Sequence, residues 1–203
     1  MTPPLSTALT TALATGPAAL DALYGAPAAD RRDRFLTLLA IYDLHTAPLE
    51  MVGDAVRHQG HPAVAEVKRR LEAAWLDELD SAWQQADQLP DATTPAGAVA
   101  AMRTVAARDR LPTAYRWLAK QASWAELVDF LAVEGGPDGG FDDLVAACQI
   151  GLRGSAKLEL AQNYWDEMGG GDPDGVHTTL HERLVEAVRL PRVPRQDLPV
   201  AAL

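Results

Sequence analysis

From Pro62 onward the chain places apolar residues at Val64, Val67, Leu71, Trp75 and Leu79, with Glu66, Lys68, Arg69, Arg70, Glu72 and Asp77 falling between them. That spacing follows the 3.6-residue helical turn, so one stripe of a long helix is apolar and the rest faces water, with Trp83 extending it toward Leu89-Pro90. No stretch shows the period-two alternation of a strand with turn chemistry at both ends. The pattern predicts an all-α protein.

Other segments repeat the pattern. Phe35, Leu38, Leu39, Tyr42, Met51 and Val52 recur near the same period, and Pro48 places a break between two helices. His58-Gln59-Gly60-His61-Pro62 reads as a helix end followed by a helix start, with Gly60 in the turn and Pro62 at the first helical position. Further helices are expected over Gly97 to Arg108, over one long segment from Tyr115 to Leu131, over Leu144 to Leu152, over Lys157 to Met168 and over Val176 to Leu190. Residues 31–190 are read as a single helical-bundle domain. Residues 1–30, rich in Ala, Thr and Pro, read as a loosely ordered extension with weak helices near 6–15 and 18–24, and residues 191–203 as a Pro-rich tail.

Charge and cysteine content narrow the function classes. With 18 Lys and Arg against 28 Asp and Glu, the net charge of −10 disfavours phosphate backbones, so no nucleic-acid partner is expected. The single Cys148 excludes an intrachain disulfide and a thiolate metal cluster, and its apolar neighbours mark it as a small buried hydrophobe. No basic residue precedes Arg31 and no apolar run approaches the ~20 residues of a membrane span, so a cytoplasmic protein with no membrane partner is expected. The glycine clusters follow helices, where phosphate-cradling loops follow strands.

The chemistry concentrates between Asn163 and His177. Glu159, Asn163 and Glu167 are spaced four apart on one helix and so share a face, which would project into a bundle interior. Carboxylates placed there need a cation or hydrogen bonds to offset their burial. His177 follows Glu167 across the turn Gly169-Gly170-Gly171, and His181 lies one turn beyond. A carboxylate and an imidazole brought together suit non-haem iron, whereas the absence of cysteine ligands disfavours structural zinc. A capping turn is the alternative for Asp172-Pro173-Asp174-Gly175, which lacks the ligand series of a calcium loop. Of the remaining histidines, His58 and His61 are expected to be exposed and His45 to be partly buried.

The segments Phe141-Asp142-Asp143-Leu144, Lys157 to Asp172 and Val176-His177-Thr178-Thr179-Leu180 resemble the iron-containing redox enzymes of the haem-oxygenase-like di-iron oxidase superfamily, over roughly residues 97–195. The resemblance implies a helical bundle around non-haem iron, without haem, that uses dioxygen to oxygenate, desaturate or cleave a small organic substrate. Carried over by position, Glu167 and His177 correspond to iron ligands, and Glu134 in Phe130-Leu131-Ala132-Val133-Glu134 to the carboxylate of the family's first helix. The family completes its second iron site with a further Glu and then a His with an Asp four residues later, and these have no counterpart up to Leu203. The bundle is therefore expected to be incomplete at its C-terminus. Three explanations stand: a fragment, a site completed by another chain, or a fold that no longer catalyses and serves as a binding or interaction protein. A homodimer is among the assemblies allowed.

Overall fold

The computed structural model describes residues 2–84, 92–134 and 141–200. The expected end of the long helix near Leu89 and Pro90, and the glycine-rich turn at 135–140, lie outside the described residues. All regular structure among the described residues is helical, so the protein is all-α. The chain forms two compact units, Met1–Glu72 with Val128–Leu203 and Ala73–Leu127.

The core of the first unit begins with the segment expected to be loose. Helix α1 (Leu5–Thr15) buries Leu5, Leu9, Ala12 and Leu13, a helical stripe that its alanines and threonines obscure in the sequence. The short helix α2 (Pro17–Asp21) adds Leu20, and α1 packs on α3 (Arg31–Thr46), which buries Phe35, Leu38, Ile41 and Leu44. Asp30 caps α3 by accepting the N–H of Asp33. The Asp33 side chain serves the opposite helix. It accepts from the Leu5 and Ser6 N–H groups at 2.8 Å each, from the Ser6 hydroxyl at 2.6 Å and from the Ala29 N–H at 2.8 Å.

Asp33 is 4% exposed, and it sits at the positive end of the α1 dipole. Burial pushes its carboxyl up, but the hydrogen bonds from Ser6, Ala29 and Leu5 together outweigh that effect and hold it below the usual carboxylate value. A buried charge so fully satisfied stabilises the α1–α3 pairing.

Helix α4 (Leu49–Val52) follows the break at Pro48, and a 3₁₀ turn over Gly53–His58 leads to α5 (Pro62–Gln84). The first turns of α5 bury Ala63, Val64, Val67 and Leu71, as their spacing predicts. The histidines depart from expectation. His58 is 6% exposed, because the 3₁₀ turn packs against α1 and α3, and Arg57 Nε donates to its Nε2 at 3.4 Å. His61 is half-buried, with its Nδ1 accepting the Ala63 N–H at 3.3 Å, whereas His45 is exposed in the last turn of α3. Tyr42 donates to Glu72 at 2.8 Å and Lys68 pairs with the same oxygen at 2.9 Å. Burial, then the hydrogen bond and charge of Glu72, push the Tyr42 phenol up.

The Pro-rich tail is tied down. Arg195 engages Asp43 of α3 through both terminal nitrogens, Arg32 donates to the carbonyls of Gln196 at 2.9 Å and Leu198 at 2.6 Å, and Leu198 is 1% exposed. Bidentate guanidinium pairing fixes geometry as well as charge.

In the second unit, α6 (Pro95–Arg108) opens on a Thr94 cap whose hydroxyl accepts the Gly97 N–H at 3.0 Å. Its successor is not the single long helix expected. The chain breaks after α7 (Thr113–Lys120) and restarts as α8 (Trp124–Glu134), whose first turn belongs to this unit and whose remainder, from Val128, belongs to the first. Ser123 and Glu126 form a reciprocal capping box: the Ser123 N–H and hydroxyl donate to Glu126 at 2.8 and 2.7 Å, and the Glu126 N–H returns to the Ser123 oxygen at 3.3 Å. These bonds, the Ser123 N–H first, hold the exposed Glu126 carboxyl below its usual value. Ala101 is the one buried residue among the described residues of this unit.

Returning to the first unit, α9 (Phe141–Cys148) packs on α10 (Gly154–Glu167), and α11 (His177–Val188) follows a glycine turn. Cys148, read as a buried hydrophobe, is exposed as the last residue of α9. No helix among the described residues is long and apolar enough to cross a membrane.

Candidate metal centre

Glu167 is the last residue of α10, and His177 the first of α11. The chain must reverse within the nine residues that separate them, and it does so on left-handed backbone. Gly169 has φ 62° and Gly171 φ 90°. A Cβ at Gly169 would overlap the backbone of Gly175, and one at Gly171 would lie 2.7 Å from the Trp165 ring. Only glycine permits both the dihedrals and the close approaches.

The far side of the turn is fastened by its acids. The Asp174 N–H donates to the Asp172 carboxylate at 3.0 Å, the Gly175 N–H to the Asp172 carbonyl at 2.9 Å, and Arg183 of α11 grips the Asp174 carboxylate and its carbonyl. These acids brace a turn as the sequence indicated, but they do not cap the following helix, whose N-cap residue is Val176 with no side-chain cap bond.

The result is a direct contact between His177 Nδ1 and Glu167 Oε2. The glutamate side chain is 16% exposed and the histidine 58%, so the pair sits at the surface with its carboxylate partly sheltered. For the two atoms to meet, Nδ1 donates and Oε2 accepts. No other hydrogen bond or ion pair engages Glu167 among the described residues, so the carboxylate keeps acceptor capacity beyond that one bond.

The other expected participants stand elsewhere. Glu134 is the exposed last residue of α8, and no group of three or more His, Cys, Asp and Glu able to hold a metal ion forms among the described residues. Glu134, Glu167 and His177 are thus not one cluster, and His181 adds no third donor. Glu159 and Asn163, read as part of an inward stripe, are exposed. On α10 it is Leu160 and Tyr164 that are half-buried beside α9, which turns the carboxylate stripe outward apart from its last member.

In donor type the pair fits iron, as a carboxylate oxygen and an imidazole nitrogen on adjoining helix ends. In number it supplies two ligands where a redox metal takes more. Trp165 is the residue whose part the sequence did not reveal: a half-exposed ring that lies over Gly171 and so helps set the turn. The signal for it was the pairing of an aromatic residue with a glycine six residues later.

No curated protein and no solved structure matches the chain. A family model described as iron-containing redox enzyme matches residues 129–203, less than half of the chain, and that stretch contains Glu134, Glu167 and His177. Over those residues, the chain is similar to iron-containing redox enzymes.

Proposed function

We propose that the protein is a non-haem iron redox enzyme of the di-iron oxidase type, which oxidises a small organic substrate with dioxygen and in which Glu167 and His177 are iron ligands. The observation that carries the reading is the Glu167–His177 contact, formed across a glycine turn inside the stretch that matches an iron-containing family. Iron would supply the one-electron chemistry with dioxygen that protein side chains do not provide. The chain's own part is positional: α10 and the turn fix the carboxylate, the first residue of α11 presents the imidazole, and Trp165 over Gly171 holds the reversal. Glu134 is the remaining candidate ligand of the matched stretch.

Anaerobic titration with ferrous iron tests the assignment. Glu167→Ala and His177→Ala are each expected to weaken binding by at least about tenfold, the scale on which even supporting residues affect metal affinity. Binding in both variants equal to that of the parent overturns it.

One observation favours a second reading. Because no three-donor group forms among the described residues, a helical protein that binds a small molecule or a partner chain, a second copy included, without catalysis also fits. Oxygen consumption on adding iron separates the two, since the second reading requires none.

A further inference from the structure

The second unit contains a stretch whose charge runs against the rest of the molecule. Between Val99 and Trp124 stand Arg103, Arg108, Arg110, Arg116 and Lys120 with Asp109 as the sole acid, in a chain whose net charge is −10. All five basic residues are exposed, and no ion pair engages Arg103, Arg110, Arg116 or Lys120 among the described residues.

The same stretch exposes large apolar side chains. Met102 is 72% exposed, Leu111 65% and Trp124 62%, and Val99, Val105 and Trp117 are also exposed. In α6 the larger apolar side chains are the ones left exposed. Val99, Met102 and Val105, three residues apart, cover an arc of about 120° that faces solvent, while the buried residue of that helix is the small Ala101, one turn before Val105 at the edge of that arc. Exposed apolar surface of this extent marks an interaction site.

We propose that residues 99–124 form a docking face for an anionic lipid surface. The chemistry selects that occupant. A nucleic acid would use the arginines but gives Met102, Val99 and Leu111 no apolar environment, whereas a bilayer interface accepts both, with Trp and aliphatic side chains entering the headgroup boundary and Arg and Lys meeting lipid phosphates. Clusters of four to eight basic residues on amphipathic helices carry this kind of recognition. The helices lie on the surface rather than span it, so the short apolar runs that exclude a membrane span do not bear on the attachment. The expectation of no membrane partner was drawn from run length, which attachment at a surface does not require.

Vesicle flotation of the full chain tests it, with phosphatidylcholine vesicles compared with vesicles in which about a third of the lipid is phosphatidylserine. Binding is expected to the anionic vesicles only, and to fall as salt is raised past physiological strength, where the screening length drops below about 8 Å. At roughly fivefold per charge, the triple variant Arg103→Ala, Arg110→Ala, Arg116→Ala should lose about a hundredfold in partitioning. Met102→Ser with Trp124→Ser should also detach the protein, which a purely electrostatic contact would not require. Both variants alter exposed residues, and an unchanged helical circular-dichroism spectrum establishes that they fold. Equal partitioning to neutral and anionic vesicles, or none to either, overturns the proposal. So does salt-sensitive binding to an oligonucleotide or an acidic peptide with the vesicles ignored, which would assign the face to that partner.

Discussion

Asp33 and Glu167 are both carboxylates held at the junction of two helices, and they differ in how much of their bonding capacity the fold consumes. Asp33 is buried and receives four hydrogen bonds from Leu5, Ser6 and Ala29, so nothing remains for a ligand. Among the described residues Glu167 has one partner, His177, itself exposed and itself a metal-ligand type. The same contrast holds for the regions around them. The helices near Asp33 bury Leu5, Leu9, Leu38, Ile41, Val64 and Val67, whereas α10 and α11 bury no residue at all. Stability resides in the first region, and the second is arranged around a pair that contributes little to it.

The largest expected effect tests that division directly. Leu9 is fully buried between α1 and its neighbours, so Leu9→Ala should cost about 2–5 kcal/mol in urea unfolding. Leu158→Ala removes the same atoms from a side chain that is 70% exposed on α10 and should stay within about 0.5 kcal/mol. If the two losses are equal, the proposed concentration of stability in the N-terminal helices is wrong.

Next in size is Asp33 itself. Asp33→Ala strands the Leu5 and Ala29 N–H groups and should cost about 2–3 kcal/mol. The pH dependence has a definite sign. Since the folded carboxyl lies below its ordinary value, its stabilisation is complete above about pH 4 and is lost as pH falls through the lower folded value. Unfolding curves of the parent and of Asp33→Ala should therefore converge in acid, and a gap that widens there would refute the account.

Gly169→Ala acts on the other region and removes no ligand. A side chain at φ 62° is strained, and its Cβ would overlap Gly175, so the turn must open at a cost of about 1–3 kcal/mol. Ferrous iron binding should fall with it. Retention of full affinity would mean that the turn does not position the pair.

The two regions were also unequally legible in the sequence. The pair Glu167 and His177 was visible because its geometry is local: a helix end, three glycines and a helix start determine where the nine residues between them can go. The bounds of α11 and α6 followed from the same kind of signal. Asp33 gave no sign of its part, because its donors at Leu5 and Ser6 lie across a long stretch of chain and only tertiary packing brings them together. His58 was misread for the same reason, its burial depending on α1 and α3. The break between α7 and α8 was present in the sequence as Ser123-Trp124-Ala125-Glu126, but the apolar period from Tyr115 to Leu131 runs through it and masked the capping box. Conversely, the stripe Glu159, Asn163, Glu167 was a correct helix face given the wrong direction, since spacing reports which residues share a face and not what that face meets.

The smallest expected effect is the most discriminating. An ion pair with one side chain more than half exposed contributes about 0–1 kcal/mol, because water competes for both groups and ordering them costs entropy. His177→Ala should therefore leave the unfolding midpoint nearly unchanged while it weakens iron binding. A residue kept for structure would show the reverse, as Asp33 is expected to. If His177→Ala destabilises the fold as much as Asp33→Ala does, the pair is a structural clasp between α10 and α11, and its likeness in donor type to an iron site carries no chemistry.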